Sequence, residues 1–366
     1  MPAPRSAAPA LHAALAAGVL AWVVGCAEHE PNYLFRGEWV DIDGQGRSAD
    51  QTCGGTFAYV DAYAGALAQE FGVAGHLGDY RWYSQQRYDA DDPCEGSGAC
   101  AFDDRTLYTP RLPDNHELVH LATFAAVSEG CPKPLAEGLA EYHGSTGRDV
   151  SSNSFERLVA AFEAPSADVP SGTYGVLGRF VNYLVQRFGV GAVLEVCRAS
   201  GRSPSAAYLS DTMDAIFGET TAELLADFEP ELGSSCDRSK DFQSRVYTCG
   251  VAEAAPDIGL VGEEGVELRY EIDCANERVI GPLHDRIWIV ERLDLDQDAD
   301  WQLWMESDDA DISDVTLTIS GCEPCSYTRV FGGEFIGPEP LDADRYWLEV
   351  NAPADFVGTV VVRINR

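Results

Sequence analysis

Basic side chains are scarce: 25 Lys and Arg stand against 60 Asp and Glu in 366 residues, a formal net charge of −35. Such a surface repels phosphate backbones, which argues against nucleic acid as a partner. Beyond the N-terminal segment no apolar run reaches the 18 or so residues a membrane helix needs, so no second span is expected. Internal repeats and low-complexity tracts are also missing, which excludes array architectures. Cys322 and Cys325 have no second CxxC and no flanking histidine, so a local disulfide or structural role is favoured over a zinc or redox motif. The acidic run Asp294, Asp296, Asp298 and Asp300 lacks the glycine and closing glutamate of an EF-hand loop and reads as a solvated turn. The carboxylate excess as a whole suits solubility outside the cell; the sharper alternative is a preference for basic substrates or divalent cations.

The length, with 45% hydrophobic residues, supplies two cores. Residues 1–26 read as a targeting segment: Arg5 is followed by an apolar run from Leu11 to Val24 that ends at Gly25 and Cys26. Val23, Val24, Gly25 and Cys26 resemble a bacterial lipobox. That resemblance implies lipidation at Cys26 and a cell-envelope lipoprotein held to the membrane by its lipid. An ordinary secretory signal that removes Cys26 is the alternative. Of 11 cysteines, ten follow Cys26, and an even set suits a disulfide framework in an oxidising compartment. Cys94 with Cys100 and Cys236 with Cys249 are plausible neighbours, with the connectivity otherwise open.

Residues 27 to about 50 read as a tether and a first loop or strand. Phe57, Val60, Ala64, Leu67 and Phe71 recur at helical spacing within Gly55–Gly72. Asp79–Tyr88 is rich in strand formers, Asp89–Gly98 is a polar loop, and Thr106–Tyr108 suits a short strand. Helices are expected at His116–Val127, Pro134–His143, Ser154–Phe162, Tyr174–Phe188, Val190–Ala199 and Thr221–Leu232. Past residues 234–258 the period becomes two, in Val266–Ile272, Trp301–Met305, Val315–Ile319, Tyr346–Val350 and Val360–Ile364. The expected fold class is α+β: a mainly helical domain over 27–240, then a small antiparallel β-sandwich over 250–366.

His116, Glu117 and His120 form an HExxH motif. Four residues of helix turn about 400°, so both imidazoles leave one face and can share a metal, with Glu117 beside them to polarise a water. That is the minimum apparatus for zinc hydrolysis. A purely structural reading has its own mechanism, with Asp114 as N-cap and Glu117 closing a capping box. Glu137 follows inside Leu135–His143, after a short turn, where a second helix can return a carboxylate to the imidazole face. Glu141 shares that helix face, so its role and that of Glu137 can be exchanged.

The paired motifs, HExxH and then EGLAEY over Glu137–Tyr142, resemble the thermolysin-like clan of zinc metallopeptidases over roughly residues 106–233. The resemblance implies a zincin-like fold, zinc held by His116, His120 and Glu137, Glu117 as catalytic base, and Glu141 orienting His116. It extends to Tyr174, which becomes the candidate oxyanion donor, with His143 as rival. Tyr108 is a candidate for a strand that pairs with extended substrate. The implied activity is hydrolysis of peptides outside the cytoplasm. Two alternatives stay open: a catalytically silent surface lipoprotein that uses the fold for binding, and a zinc hydrolase for a non-peptide amide such as a cell-wall crosslink.

Overall fold

The computed structural model describes residues 31–144, 154–229, 245–250, 254–322, 328–332 and 335–366. The N-terminal segment with Cys26, the two cysteines Cys236 and Cys325, and the end expected for the last helix at Leu232 lie outside these residues.

The chain begins with strands β1 (Tyr33–Arg36) and β2 (Val40–Gln45), so this stretch is more than a tether. Helix α1 (Thr56–Glu70) follows, then β3 (Gly78–Tyr83) and α2 (Gln85–Asp91). Strand β4 (Cys100–Ala101) and strand β5 (Thr106–Thr109) complete a sheet of order β1-β2-β3-β5-β4. Its centre is parallel, β2 to β3 and β3 to β5, and both edge pairings are antiparallel. The helix α2 corrects the expectation of strand and loop there. Tyr88 has strand-forming character, but Ser84 caps the segment by accepting a bond from the Arg87 amide at 3.4 Å, and Tyr88 packs under Tyr83.

Seven helices follow β5: α3 (Asn115–Ala126), α4 (Lys133–Gly144), α5 (Ser154–Glu163), α6 (Tyr174–Phe188), α7 (Val190–Ser200), α8 (Ala206–Phe217) and α9 (Thr221–Phe228). Helix α8 was not expected from the sequence, although Ser205 caps it and it buries Leu209, Met213 and Phe217 at i, i+4 and i+8. Cys131 and Cys197 bond the turn between α3 and α4 to α7.

After the short helix α10 (Arg245–Thr248) come β6 (Asp257–Val261), β7 (Val266–Ile272), β8 (Ile280–Leu283), β9 (Arg286–Leu295) and β10 (Ala299–Glu306). The last strands are β11 (Thr316–Gly321), β12 (Thr328–Gly332), β13 (Phe335–Leu341), β14 (Arg345–Pro353) and β15 (Gly358–Asn365). They form two sheets, β13-β10-β15-β7 and β12-β11-β14-β9-β6, with β8 paired to the start of β9. Trp301 and Leu303 of β10, and Val360 and Val362 of β15, share one core with Ile287, Ile289, Leu317 and Leu348 of the other sheet. The architecture is therefore mixed α and β. The acidic run spans the connection from β9 in one sheet to β10 in the other: Asp294 pairs with Arg345 at 3.1 Å, and Asp298 accepts from the Ala343 amide at 2.7 Å.

Residues 33–366 make one compact unit, because the strand-rich part is built into the N-terminal part. Cys53, before α1, is bonded to Cys274, 221 residues away. The hydroxyls of Thr52 and Thr56 donate to the Gly281 carbonyl at 2.7 and 2.9 Å, and the Cys53 amide reaches the same oxygen at 2.7 Å. Ile280, Trp288, Val290 and Trp347 join the core that contains Tyr59, Val60 and Tyr63 of α1. Cys94–Cys100 forms as expected, whereas Cys249 is bonded to Cys322 rather than to Cys236. Sequence proximity misled there: the chain returns through six strands, β6 to β11, to bring Cys322 beside Cys249. The four disulfides among the described residues point to an oxidising compartment. No helix among the described residues is long and apolar enough to cross a membrane.

Candidate metal centre

Strand β5 delivers the chain to α3 through a loop that is tied down polar group by polar group. Asp114, the residue before α3, makes no side-chain cap, so the capping-box alternative does not form. Its buried carboxylate accepts from the Thr109 hydroxyl at 2.6 Å and pairs with Arg111 at 2.9 Å, and Tyr80 holds the Arg111 carbonyl at 2.7 Å. Asn115, the first residue of α3, donates to the Tyr59 hydroxyl at 2.8 Å. Tyr59 in turn packs edge-on against Tyr247 and Trp288.

On α3, His116 and His120 turn to one face with their ring centroids 4.9 Å apart. Helix α4 brings Glu137 to them: its Oε2 lies 3.3 Å from His116 Nε2 and 3.6 Å from His120 Nε2. This close approach needs Gly138, because a Cβ there would meet Val181 Cγ2 at 2.4 Å and the Leu177 carbonyl oxygen at 2.9 Å, both on α6. Ligand atoms of His116, His120 and Glu137 all lie within 4.8 Å of one another, so the three together can hold a metal ion. Glu141, one turn further along α4, comes within 3.8 Å of His116 Nδ1. Glu137 is thus the carboxylate facing both imidazoles, and Glu141 is the one behind the first.

Burial drives the electrostatics. Glu117 is buried, and loss of water raises its carboxyl pKa, with the nearby imidazoles partly opposing. Burial would lower His120, but Glu137 beside it outweighs this and lifts it to about 9. Burial would likewise raise Glu137, yet His120 and His116 hold it well below the ordinary carboxylate range. Glu117 Oε2 and Glu137 Oε2 are enclosed and make no hydrogen bond of regular geometry. A buried oxygen of Glu117 without a donor, and one of Glu137 set between two imidazole nitrogens, are what a cation and its water would satisfy, so the donor set fits a divalent metal.

The centre opens on a cleft of about 860 Å³. Tyr174, at the start of α6, stands on its wall with its ring parallel to that of His116, centroids 5.8 Å apart. The rival His143 is buried against Phe71 and Tyr142 and does not line the cleft, since six residues after Glu137 it leaves α4 about 120° away. Tyr108 lies in β5 as expected, but β3 covers one edge of that strand and β4 the other, with Cys100 opposite Tyr108. No edge of β5 at Tyr108 is left for an incoming chain, and the loop closed by Cys94–Cys100 lines the cleft instead. The loop expected over 89–98 holds from Asp92 onward, but its place as a cleft wall was not read from the sequence. Sequence reading also missed Phe124 and Arg202 on the far wall, although Phe124 follows His120 by four residues and so had to share its face.

No model of a known protein family matches the chain, and comparison with curated proteins gives no match.

Proposed function

We propose that the protein is a zinc-dependent peptidase acting outside the cytoplasm. The observation that carries this reading is the convergence of His116, His120 and Glu137 with the enclosed, donor-free carboxylate oxygen of Glu117 in one open cleft. Three protein ligands leave a position for water, and two imidazoles with one carboxylate suit zinc. When bound there, zinc supplies Lewis acidity to a water and to the substrate carbonyl.

The side chains divide the remaining work. Glu117, whose affinity for a proton is raised by burial, takes the proton of the attacking water and returns it to the leaving amine. Glu141 behind His116 fixes that ring's orientation and favours Nε2 as the ligand atom. Tyr174, stacked along His116 at the cleft wall, donates to the oxyanion. The reading includes a zincin-like catalytic half, a β-sandwich for the two C-terminal sheets, and a lipid anchor at Cys26 that holds the enzyme at the cell envelope.

Metal content of the purified mature chain, wild type beside Glu117→Gln, followed by digestion of an unbiased peptide library, tests the proposal. Near-stoichiometric zinc in both proteins with cleavage by the wild type alone is expected. A folded wild type without zinc would sink the metallopeptidase reading. Zinc without cleavage by either protein would shift it to a silent binding lipoprotein or to a non-peptide amide as substrate.

A further inference from the structure

The protein's charge is overwhelmingly negative, yet the cleft carries three cations: Arg111, Lys133 and Arg202. Two of them are neutralised in place. Arg111 pairs with the buried Asp114 at 2.9 Å, and Lys133 is paired with Asp168. Arg202 has no carboxylate within pairing distance among the described residues, and its guanidinium instead sits over the ring of Phe124, 5.9 Å from the centroid.

The backbone that carries this exposed arginine is held in place. It follows Gly201, which ends α7, and Cys197 near that end of the helix is bonded to Cys131. Its stem lies along Gly130, whose φ of +79° and lack of a side chain leave the room; a Cβ there would come within 3.3 Å of Arg202 Cβ. The ring beneath it belongs to α3, one helical turn after His120, and Arg202 lines the same cleft as His116, His120 and Glu137. Stacking on an aromatic face orients a guanidinium and leaves its N–H fork free for a carboxylate. Glu129 beside Gly201 and Glu95 on the cleft wall are the carboxylates nearest by position, and neither forms an ion pair with it among the described residues; charges farther off are screened over about 8 Å.

We infer that Arg202, seated on Phe124, is a carboxylate-binding subsite, and that the preferred substrates are peptides presenting a carboxylate on that side of the metal centre. The inference rests on the peptidase reading and names its substrate class, reversing the preference for basic substrates that net charge alone would suggest. The carboxylate is either an Asp or Glu side chain within the peptide or the α-carboxylate at its end.

Binding to the zinc-loaded Glu117→Gln chain, which holds peptide without cutting it, separates these possibilities. Starting from a peptide that the wild type cleaves, three versions are compared by calorimetry: glutamate near the cleaved bond with an amidated end, glutamine there with a free end, and glutamine with an amidated end. One of the carboxylate versions should bind about five- to tenfold tighter than the neutral one, the span expected of a partly exposed charge-assisted contact. Which one does so identifies the source. Adding Arg202→Gln should collapse that ratio toward one, and Arg202→Glu should turn it toward a lysine version. Equal binding of all three versions, or a ratio that survives Arg202→Gln, would overturn the subsite and leave the peptidase reading standing. Absence of any cleaved or bound peptide would overturn both.

Discussion

Protons and metal compete for His120. With its pKa lifted to about 9 in the metal-free protein by Glu137, the imidazole is charged at neutral pH, so a metal ion must displace a proton to bind. Metal affinity should therefore fall about tenfold for each pH unit below 9. Calorimetry at pH 7 in buffers of different ionisation enthalpy should register close to one proton released per metal; no release would mean that His120 is already neutral. The stability of the metal-free chain runs the other way. A histidine raised above its ordinary value of 6.5 contributes its full stabilisation below that pH, and loses it as pH climbs through about 9. The two carboxylates of α4 should also separate. Glu137→Ala removes a ligand and should abolish stoichiometric metal, whereas Glu141→Gln should weaken metal affinity about 10- to 100-fold without abolishing it, as a chelator titration would read. At this scale the sequence was legible where helical spacing fixes a face, as for His116, Glu117 and His120. It left Glu137 and Glu141 interchangeable because both lie on one face of α4, and only the distances to Nε2 and Nδ1 tell them apart.

Elements were readable where breakers mark their ends. Tyr174–Phe188 has the expected bounds, and α3 and α4 fall within a residue of theirs, because Pro113 precedes α3, Gly130 and Pro132 precede α4, and Gly189 ends α6. Strand β9 went unread although it is the longest in its sheet: eight of its ten residues are buried, so the alternation that betrays a strand is gone. The parallel centre of the first sheet was equally hidden, since pairing partners leave no local mark. Helix contacts have their own test at Gly138. An added methyl would strike Val181 and the Leu177 carbonyl, so Gly138→Ala should destabilise the metal-free chain by about 1–3 kcal/mol in urea unfolding. Helix propensity alone would predict a slight gain. A loss therefore assigns the cost to the α4–α6 contact that sets the depth of Glu137.

Across the whole molecule, the sequence suggested two cores joined by a change of period, and both cores exist. What it did not reveal is that four side chains of the strand-rich part, Ile280, Trp288, Val290 and Trp347, complete the first core. Trp288 packs on Tyr59, and Tyr59 holds Asn115 at the head of the metal helix. A chain ending after Phe228 keeps every ligand, yet it should fail to hold stoichiometric metal and should aggregate, because Tyr59 and Tyr63 lose their cover. Stoichiometric metal in a soluble truncated chain would show that the strands are dispensable to the site.

The bond from Cys53 to Cys274 adds an order in time. The first cysteine waits for a partner made 221 residues later, and His116 to Glu137 are synthesised long before Trp288, which packs on Tyr59. Chain order and spatial order thus run opposite: the cluster is complete in sequence by residue 137, but the core behind its first helix closes only once Ile280, Trp288, Val290 and Trp347 have been made.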